Sequence, residues 1–170
     1  VGSEMCIRDR TAEEQEVIQS LGYSFRHAPQ IKAHMDFILR KGSMYLIYNN
    51  NLLYHGCIPL TEDGDFDEFE YRGHRYAGRK LLDFFEEHIR AATSKNDFTE
   101  TDDTDLMWYC WIGKKSPLFG RTAMTTFERY FIDDKKTHRE GDNPYFMLRD
   151  RLSTAHYILD KFGLDERSSY

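Results

Sequence analysis

One histidine, His55, lies where a short apolar run ends and directly before Gly56 and Cys57, in the segment NLLYHGCIPL. An imidazole at the end of a strand can bind a metal ion through a ring nitrogen. A glycine beside it lets another group approach closely, because it has no side chain. The alternative is a histidine that makes ordinary hydrogen bonds, and the pattern alone favours that alternative. His55 is therefore a candidate metal ligand that needs support from the rest of the chain.

Basic side chains near an aromatic run are candidate phosphate ligands. Arg129 lies beside Glu128 inside FERYF, and a guanidinium fork matches the geometry of phosphate oxygens. The following segment, DDKKTHREGDNPY, contributes three further candidates: Lys135, His138 and Arg139. The alternatives are an ion pair for Arg129 and a solvated surface loop for the others. The solvated interpretation also applies to the bases that flank SPLFG: Lys114, Lys115 and Arg121. The spacing assigns no catalytic residue.

Hydrophobic periodicity predicts a mixed α/β (α+β) chain with a helical majority. The first helix begins at a capping box formed by Thr11 and Glu14. The second carries Ile31 and Met35 on one face and is predicted to end at Gly42 in the left-handed conformation. Two longer helices are predicted further along the chain: 77–95 and 144–162, the last stopped by Gly163.

The remaining segments predict strands and loops. SMYLIYNNNLLYHGC reads as two short strands around an asparagine turn, since asparagine tolerates positive φ. The acidic stretch that follows bends at Gly73, and 96–104 is predicted to be a loop. DLMW is interpreted as a helix start capped by Asp105, whereas TTFERYFI fits either strand or helix. Because a lone hairpin is marginal in water, we expect this one to join a larger sheet.

Composition limits the classes of function. The 170 residues suit one domain or a piece of a larger one. A net charge of −6 does not favour nucleic acid or an anionic membrane as a partner. The apolar runs are only a few residues long, so no transmembrane segment is predicted. The three cysteines form no C-x-x-C pair or disulfide framework, which favours a reducing, cytoplasmic location.

Four long blocks together closely resemble one known family, the class III fructose-1,6-bisphosphatases of Firmicutes-type bacteria. The blocks are KGSMYLIYNNNLLYHGCIPL, GRKLLDFFEEHIRAA, DLMWYCWIGKKSPLFG and TAMTTFERYFIDDKKTHREGDNPYF. The resemblance covers essentially Thr11 to the end of the chain. It implies membership of the calcineurin-like metallophosphoesterase superfamily, whose fold is a β-sandwich flanked by helices with a two-metal site at the strand ends.

The resemblance also implies an activity and a cofactor. The activity is hydrolysis of fructose 1,6-bisphosphate to fructose 6-phosphate and phosphate, in gluconeogenesis, and the cofactor is a binuclear Mn²⁺ centre. HGC is similar to the histidine–glycine block that supplies one metal ligand in related serine/threonine phosphatases, and DLMW is similar to the DLLW block that follows it there. His55 is accordingly expected to bind metal in the intact enzyme. Arg129, followed by Lys135, His138 and Arg139, is expected to hold the phosphates of the small-molecule sugar bisphosphate. Oligomerisation is left open.

The chain lacks several motifs of the family. Three metal-binding blocks of the family do not occur here: aspartate-x-histidine, glycine-aspartate-x-x-aspartate-arginine-glycine and glycine-asparagine-histidine. We expect these blocks, with the catalytic residues, upstream of Thr11. A later glycine–histidine block is expected beyond Tyr170. Residues 11–170 are therefore predicted to be a partial catalytic domain truncated at both ends, and 1–10, VGSEMCIRDR, to be translated sequencing adaptor.

One imidazole cannot hold two metals, so the isolated chain is expected to be inactive. Two other interpretations stay open. One is a phosphoesterase that acts on another substrate class, such as phosphoproteins or nucleotides. The other is a non-catalytic interaction module with a helical surface.

Overall fold

A computed structural model describes residues 10–94 and 100–164. Its elements in chain order are α1 Ala12–His27, α2 Pro29–Lys41, β1 Tyr45–Tyr48, β2 Asn51–Tyr54, β3 Phe69–Tyr71, β4 His74–Tyr76, α3 Arg79–Ser94, α4 Asp102–Ile112, α5 Thr126–Phe131, a 3₁₀-helix Lys135–His138, α6 Tyr145–Leu148 and α7 Leu152–Lys161. The chain divides into two compact units, 1–42 and 43–170. The adaptor interpretation of 1–10 falls almost entirely outside the described residues and stays a prediction.

The first unit contains α1 and α2. The predicted capping box is confirmed: the Glu14 amide donates to Thr11 Oγ1 at 3.2 Å, and the Thr11 amide donates to Glu14 Oε2 at 2.8 Å. The left-handed conformation predicted for Gly42 is wrong, because its φ is −82°. A Cβ at Gly42 would lie 2.5 Å from the Ile38 carbonyl oxygen, so close backbone approach explains the glycine. Neither helix buries a residue.

The second unit begins with the predicted hairpin, which is confirmed. β1 and β2 pair antiparallel, with Tyr45 opposite Tyr54, and the turn residues Asn49 and Asn50 have φ of 52° and 58°. β3 and β4 form a second antiparallel hairpin, which the sequence did not predict. Its turn contains Gly73 at φ 77°, so the predicted bend at Gly73 is confirmed. Within the described ranges each hairpin is a two-stranded sheet of its own. The observed class is therefore mixed helix and small antiparallel sheets, and the β-sandwich stays a prediction.

The core of this unit lies between α3 and the segment that follows β2. α3 is amphipathic, and its apolar side packs against α4. The Phe85 and Tyr109 rings stack across this contact, with centroids 5.9 Å apart and an interplanar angle of 8°. The most deeply buried side chains come from both parts: Cys57, Ile58, Leu60, Leu81, Leu82 and Phe85. The helix predicted over 77–95 is thus confirmed as α3, within two residues at each end.

The predicted start of α4 and the predicted end of the loop before it are wrong. α4 begins at Asp102, because Thr101 forms the capping box by accepting from the Thr104 amide at 3.3 Å. Asp105 is therefore an exposed residue of the first turn and not the cap. The end of the loop predicted for 96–104 is therefore wrong, since 102–104 belong to α4, and the start of that prediction lies in 95–99, outside the described residues. The segment TTFERYFI, which fitted either strand or helix, contains the helix α5, with its first and last residues as the caps.

The predicted helix over 144–162 is also wrong as one element, since the extended backbone of Arg151 separates α6 from α7. The break changes the buried face, so that Thr154 and Ile158 are buried while Leu152 is exposed. Gly163 ends α7 with a φ of 74°, as predicted. Among the helices that the structure describes, none has the length and apolar character needed to cross a membrane.

Candidate functional site

His55 lies directly after β2 and is exposed to solvent. Its neighbour Gly56 has a φ of 81°, and a Cβ there would lie 2.2 Å from the Pro117 carbonyl oxygen. The next amide, of Cys57, donates to that same oxygen at 2.8 Å. The expectation that Gly56 admits a closely approaching group is confirmed, and the group is the backbone of SPLFG. This contact fixes the backbone on which the His55 imidazole is carried.

The SPLFG segment is itself held to the end of α4 through the buried Ser116. Its hydroxyl donates to the Cys110 carbonyl at 2.6 Å and accepts from the amides of Leu118 and Phe119 at 3.1 and 3.2 Å. Cys57 Sγ lies 3.9 Å from the Ser116 carbonyl oxygen. The HGC and DLMWYCWIGKKSPLFG blocks are distant in sequence, but they pack against each other in one region beside His55.

Both thiols in this packed region are buried, with exposed fractions of 0% for Cys57 and 2% for Cys110. Burial raises the pKa of Cys57 and of Cys110 to about 12, so both are neutral thiols near pH 7. The two cysteines contribute apolar packing, and His55 is the donor that this strand end offers.

A metal ion needs several donors at once. Within residues 10–94 and 100–164, no three histidine, cysteine, aspartate or glutamate side chains lie close enough to hold one. His55 is exposed and has no hydrogen-bond or ion-pair partner among these residues. Asp105 of DLMW is exposed as well. The described part of the chain therefore does not make a metal centre alone. Any centre that includes His55 needs ligands from elsewhere.

A second cluster forms around Glu140, whose side chain is only 11% exposed. Its Oε1 accepts from the Thr125 amide at 3.0 Å and from the Thr125 hydroxyl at 2.9 Å. Its Oε2 pairs with Arg121 Nη1 and lies 3.6 Å from Arg129 Nη2. The hydrogen bonds from Thr125, followed by Arg121 and Arg129, lower the pKa of Glu140 to about 2. Glu140 is therefore an anion at any physiological pH.

The four predicted phosphate ligands lie on two neighbouring elements. Arg129, on α5, also donates from Nε to Thr125 Oγ1 at 3.2 Å and from Nη2 to the His138 carbonyl at 3.4 Å. Its ion pair is thus with Glu140 and not with the adjacent Glu128. Lys135 and His138 lie on the 3₁₀-helix that contacts α5, and the exposed Arg139 follows it. No hydrogen bond or ion pair among the described residues joins His55 to this cluster.

His138 is less available than the sequence indicated. Its Nε2 lies 2.7 Å from the Ile132 carbonyl oxygen, a hydrogen bond that needs the proton on Nε2. Nδ1 is then the nitrogen left for other partners. The ring therefore helps to fasten the 3₁₀-helix to the end of α5.

Sequence reasoning missed the role of Glu140 and Arg121 in this cluster, and it also missed an ion pair between α3 and α4. Glu140 and Arg121 are 19 residues apart, so no local spacing reveals their pairing. Arg121 was interpreted as a solvated base, and its ion pair corrects that interpretation. His88 on α3 lies 2.5 Å from Asp103 on α4, both about a quarter exposed. This pair joins the two helices, and the His88 ring also packs edge to face against Phe84 of α3, with ring centroids 4.4 Å apart.

Comparison with known proteins gives consistent matches. A family model described as Firmicute fructose-1,6-bisphosphatase matches residues 8–170. The chain is 80% identical over 160 residues to the protein named Fructose-1,6-bisphosphatase class 3 of Pediococcus pentosaceus, covering 94% of this chain and 25% of that protein. Proteins of the same name from Staphylococcus epidermidis and Lactococcus lactis subsp. lactis are each 51% identical, over 154 and 156 residues, covering 91% and 92% of this chain and 24% of each protein. The chain thus spans about a quarter of the length of these curated relatives. No solved structure matches it.

Proposed function

This chain belongs to the Firmicute fructose-1,6-bisphosphatase family, and from that membership we propose that the protein containing it hydrolyses fructose 1,6-bisphosphate to fructose 6-phosphate and phosphate. The observation that carries the proposal is 80% identity over 160 residues to a protein of that name. The resemblance predicted from four sequence blocks is thereby confirmed. The place of this reaction in metabolism is gluconeogenesis, and the substrate is a small sugar bisphosphate.

His55 is the metal ligand of the proposal. Its support is an exposed imidazole at a strand end, without a partner among the described residues, on a backbone fixed by Pro117. A neutral imidazole nitrogen is suited to Mn²⁺ when carboxylates complete the coordination. The other ligands of the binuclear centre would come from parts of the protein outside the described residues. Bound metal would neutralise phosphate charge, which is the chemistry that such centres supply.

Phosphate binding is assigned to the bases around α5. Arg129 presents a guanidinium that is about half exposed, and Lys135, His138 and Arg139 lie close by in the chain. Substrate phosphates carry charge that guanidinium donors bind in bidentate geometry. The surrounding fold would be the β-sandwich of metallophosphoesterases, in which the β1–β2 hairpin would pair with further strands. The free cysteines Cys57 and Cys110 are in keeping with a cytoplasmic location.

The test is substitution of His55 in the full-length protein. We expect His55→Ala to lower the turnover of fructose 1,6-bisphosphate by at least about a hundredfold and to reduce bound manganese, measured by phosphate release and by elemental analysis. His74→Ala is the matched control, because His74 is also an exposed histidine beside a hairpin strand, as the first residue of β4. Unchanged turnover and manganese content in His55→Ala would refute the metal assignment. Turnover of phosphopeptides or nucleotides in preference to the sugar bisphosphate would favour the other phosphoesterase interpretation.

A further inference from the structure

Arg121 and Arg129 both reach the same carboxylate oxygen, Oε2 of Glu140. Two guanidinium groups therefore lie side by side with a single anion between them. The other oxygen, Oε1, is already occupied by the amide and hydroxyl of Thr125. Asp142, the residue paired with Arg121 through the backbone, forms no ion pair among the described residues. One positive charge thus stays uncompensated within the cluster.

The backbone that carries these arginines is fixed at several points. The Thr122 amide donates to the Gly141 carbonyl at 2.7 Å, and the Asn143 amide donates to the Gly120 carbonyl at 2.9 Å. These bonds enclose Arg121 between two anchored neighbours. On α5, Arg129 Nε is held by the Thr125 hydroxyl at 3.2 Å. Pre-organised donors bind an anion with less loss of side-chain entropy than free ones.

Donors remain after these internal contacts. A guanidinium has five N–H groups, and the internal bonds use Nη1 of Arg121 and Nε and Nη2 of Arg129. Nε and Nη2 of Arg121 and Nη1 of Arg129 make no hydrogen bond among the described residues. The side chains are 50% and 54% exposed, so an incoming anion can reach them. One arginine already neutralises the Glu140 carboxylate, so the second arginine brings a positive charge that this carboxylate does not balance.

We propose that Arg121 and Arg129, positioned by Glu140, form one binding site for the phosphate group of a phosphomonoester. The site rests on the proposed function for the identity of its ligand and extends it by adding Arg121 as a ligand and Glu140 as the positioning residue. The N–H groups of Arg121 and Arg129 that make no internal hydrogen bond donate to the phosphate oxygens. The Glu140 carboxylate holds the two guanidinium groups so that these N–H groups face the solvent. Lys135 and Arg139 add positive charge at the border of the site.

The experiment uses the full-length protein and two ligands, fructose 1,6-bisphosphate and inorganic phosphate. We expect Arg121→Lys and Arg129→Lys, which keep the charge and remove the fork, to raise KM for the sugar bisphosphate and the inhibition constant of phosphate at least about tenfold each. In these two lysine variants, we expect kcat and the melting temperature to stay close to the wild-type values. Glu140→Gln removes the negative charge between the two arginines and is expected to raise the same two constants, although it also weakens the hydrogen bonds from Thr125. Arg75→Gln is the matched control, since Arg75 is an exposed arginine paired with Glu68 at 3.1 Å, and it leaves both constants unchanged.

A second measurement needs no variant. Phenylglyoxal modifies exposed arginines, and mass spectrometry reports the rate at each site. We expect inorganic phosphate to protect Arg121 and Arg129 and to leave Arg75 unprotected. Wild-type constants in both lysine variants, equal effects in Arg75→Gln, or equal modification with and without phosphate would each overturn the site. Because phosphate protection does not require turnover, an enzyme inactive on the sugar bisphosphate refutes the proposed function and still leaves the anion site tested.

Discussion

At Glu140, hydrogen bonds from Thr125 and two arginines lower the pKa to about 2. A carboxyl with a lowered pKa stabilises the folded state fully above its unfolded pKa of about 4.5, and this contribution is lost as the pH falls toward 2. We therefore expect Glu140→Gln to lower the melting temperature at pH 7, and the difference from wild type to shrink between pH 4.5 and the acid limit of folding. Circular-dichroism melts across this range measure it. Glu62→Gln, at an exposed residue, is the control, and a difference independent of pH would contradict the argument.

At Cys57 and Cys110, burial has a chemical consequence. With a pKa of about 12, the thiolate form amounts to about one part in ten thousand at pH 8. We expect both cysteines to resist iodoacetamide in the folded protein and to react rapidly in urea, as followed by mass spectrometry. Alkylation of either thiol at the rate of an unfolded cysteine, under native conditions, would contradict the burial.

The contact between the end of β2 and the SPLFG segment is an element-scale feature that depends on Gly56. A side chain at positive φ costs about 1–2 kcal/mol, and a Cβ here would also meet the Pro117 carbonyl oxygen at 2.2 Å. Gly73, at φ 77°, supplies the matched control, because a Cβ added there would meet no atom within 4 Å. We expect Gly56→Ala to lose at least about 2 kcal/mol more than Gly73→Ala in urea unfolding. Equal losses in the free energy of unfolding for the two variants would mean that the close contact between Gly56 and Pro117 does not stabilise the fold.

Elements whose signals are local were predictable. The β1–β2 hairpin has two asparagines that accept positive φ at its turn, and α3 repeats its apolar residues at helical spacing. The start of α4 was not predictable, because Thr101 and Asp105 are both acceptable caps and only the Thr104 hydrogen bond selects Thr101. The break between α6 and α7 depends on which face the rest of the unit buries, which periodicity does not report.

The candidate site likewise has one part that the sequence predicted and one part that it did not. His55 was predictable as an exposed imidazole at a strand end, because both the strand and the adjacent glycine have sequence signals. The Glu140 cluster was not, since Arg121, Thr125 and Arg129 reach Glu140 across intervals of 11 to 19 residues with no repeat. Ion pairs over such intervals are set by the path of the loop, and the composition of DDKKTHREGDNPY is equally typical of a solvated segment.

At the scale of the whole molecule, large apolar side chains are uncovered. Trp108 and Trp111 on α4 are 62% and 67% exposed, and the β1–β2 hairpin leaves Leu46 and Leu53 exposed as well. Large exposed apolar patches usually mark surfaces that another segment or partner covers. The chain spans about a quarter of the length of its curated relatives, so the remainder of such a protein is the natural source of that cover. We expect the isolated 170-residue chain to bind the dye ANS strongly and to associate as its concentration rises, measured by fluorescence and light scattering.

The same comparison between the chain and the full-length protein tests activity. No three candidate metal ligands lie together among the described residues. His55 is the one metal ligand that the sequence resemblance assigns to this chain. A single imidazole binds Mn²⁺ too weakly to assemble a binuclear centre, so the isolated chain should release no phosphate from fructose 1,6-bisphosphate even with excess manganese. The full-length protein, assayed in parallel, should turn over and keep its dye fluorescence low. Manganese-dependent turnover by the isolated chain would mean that its own residues complete the centre, and the assignment of the missing ligands to the rest of the protein would then fail.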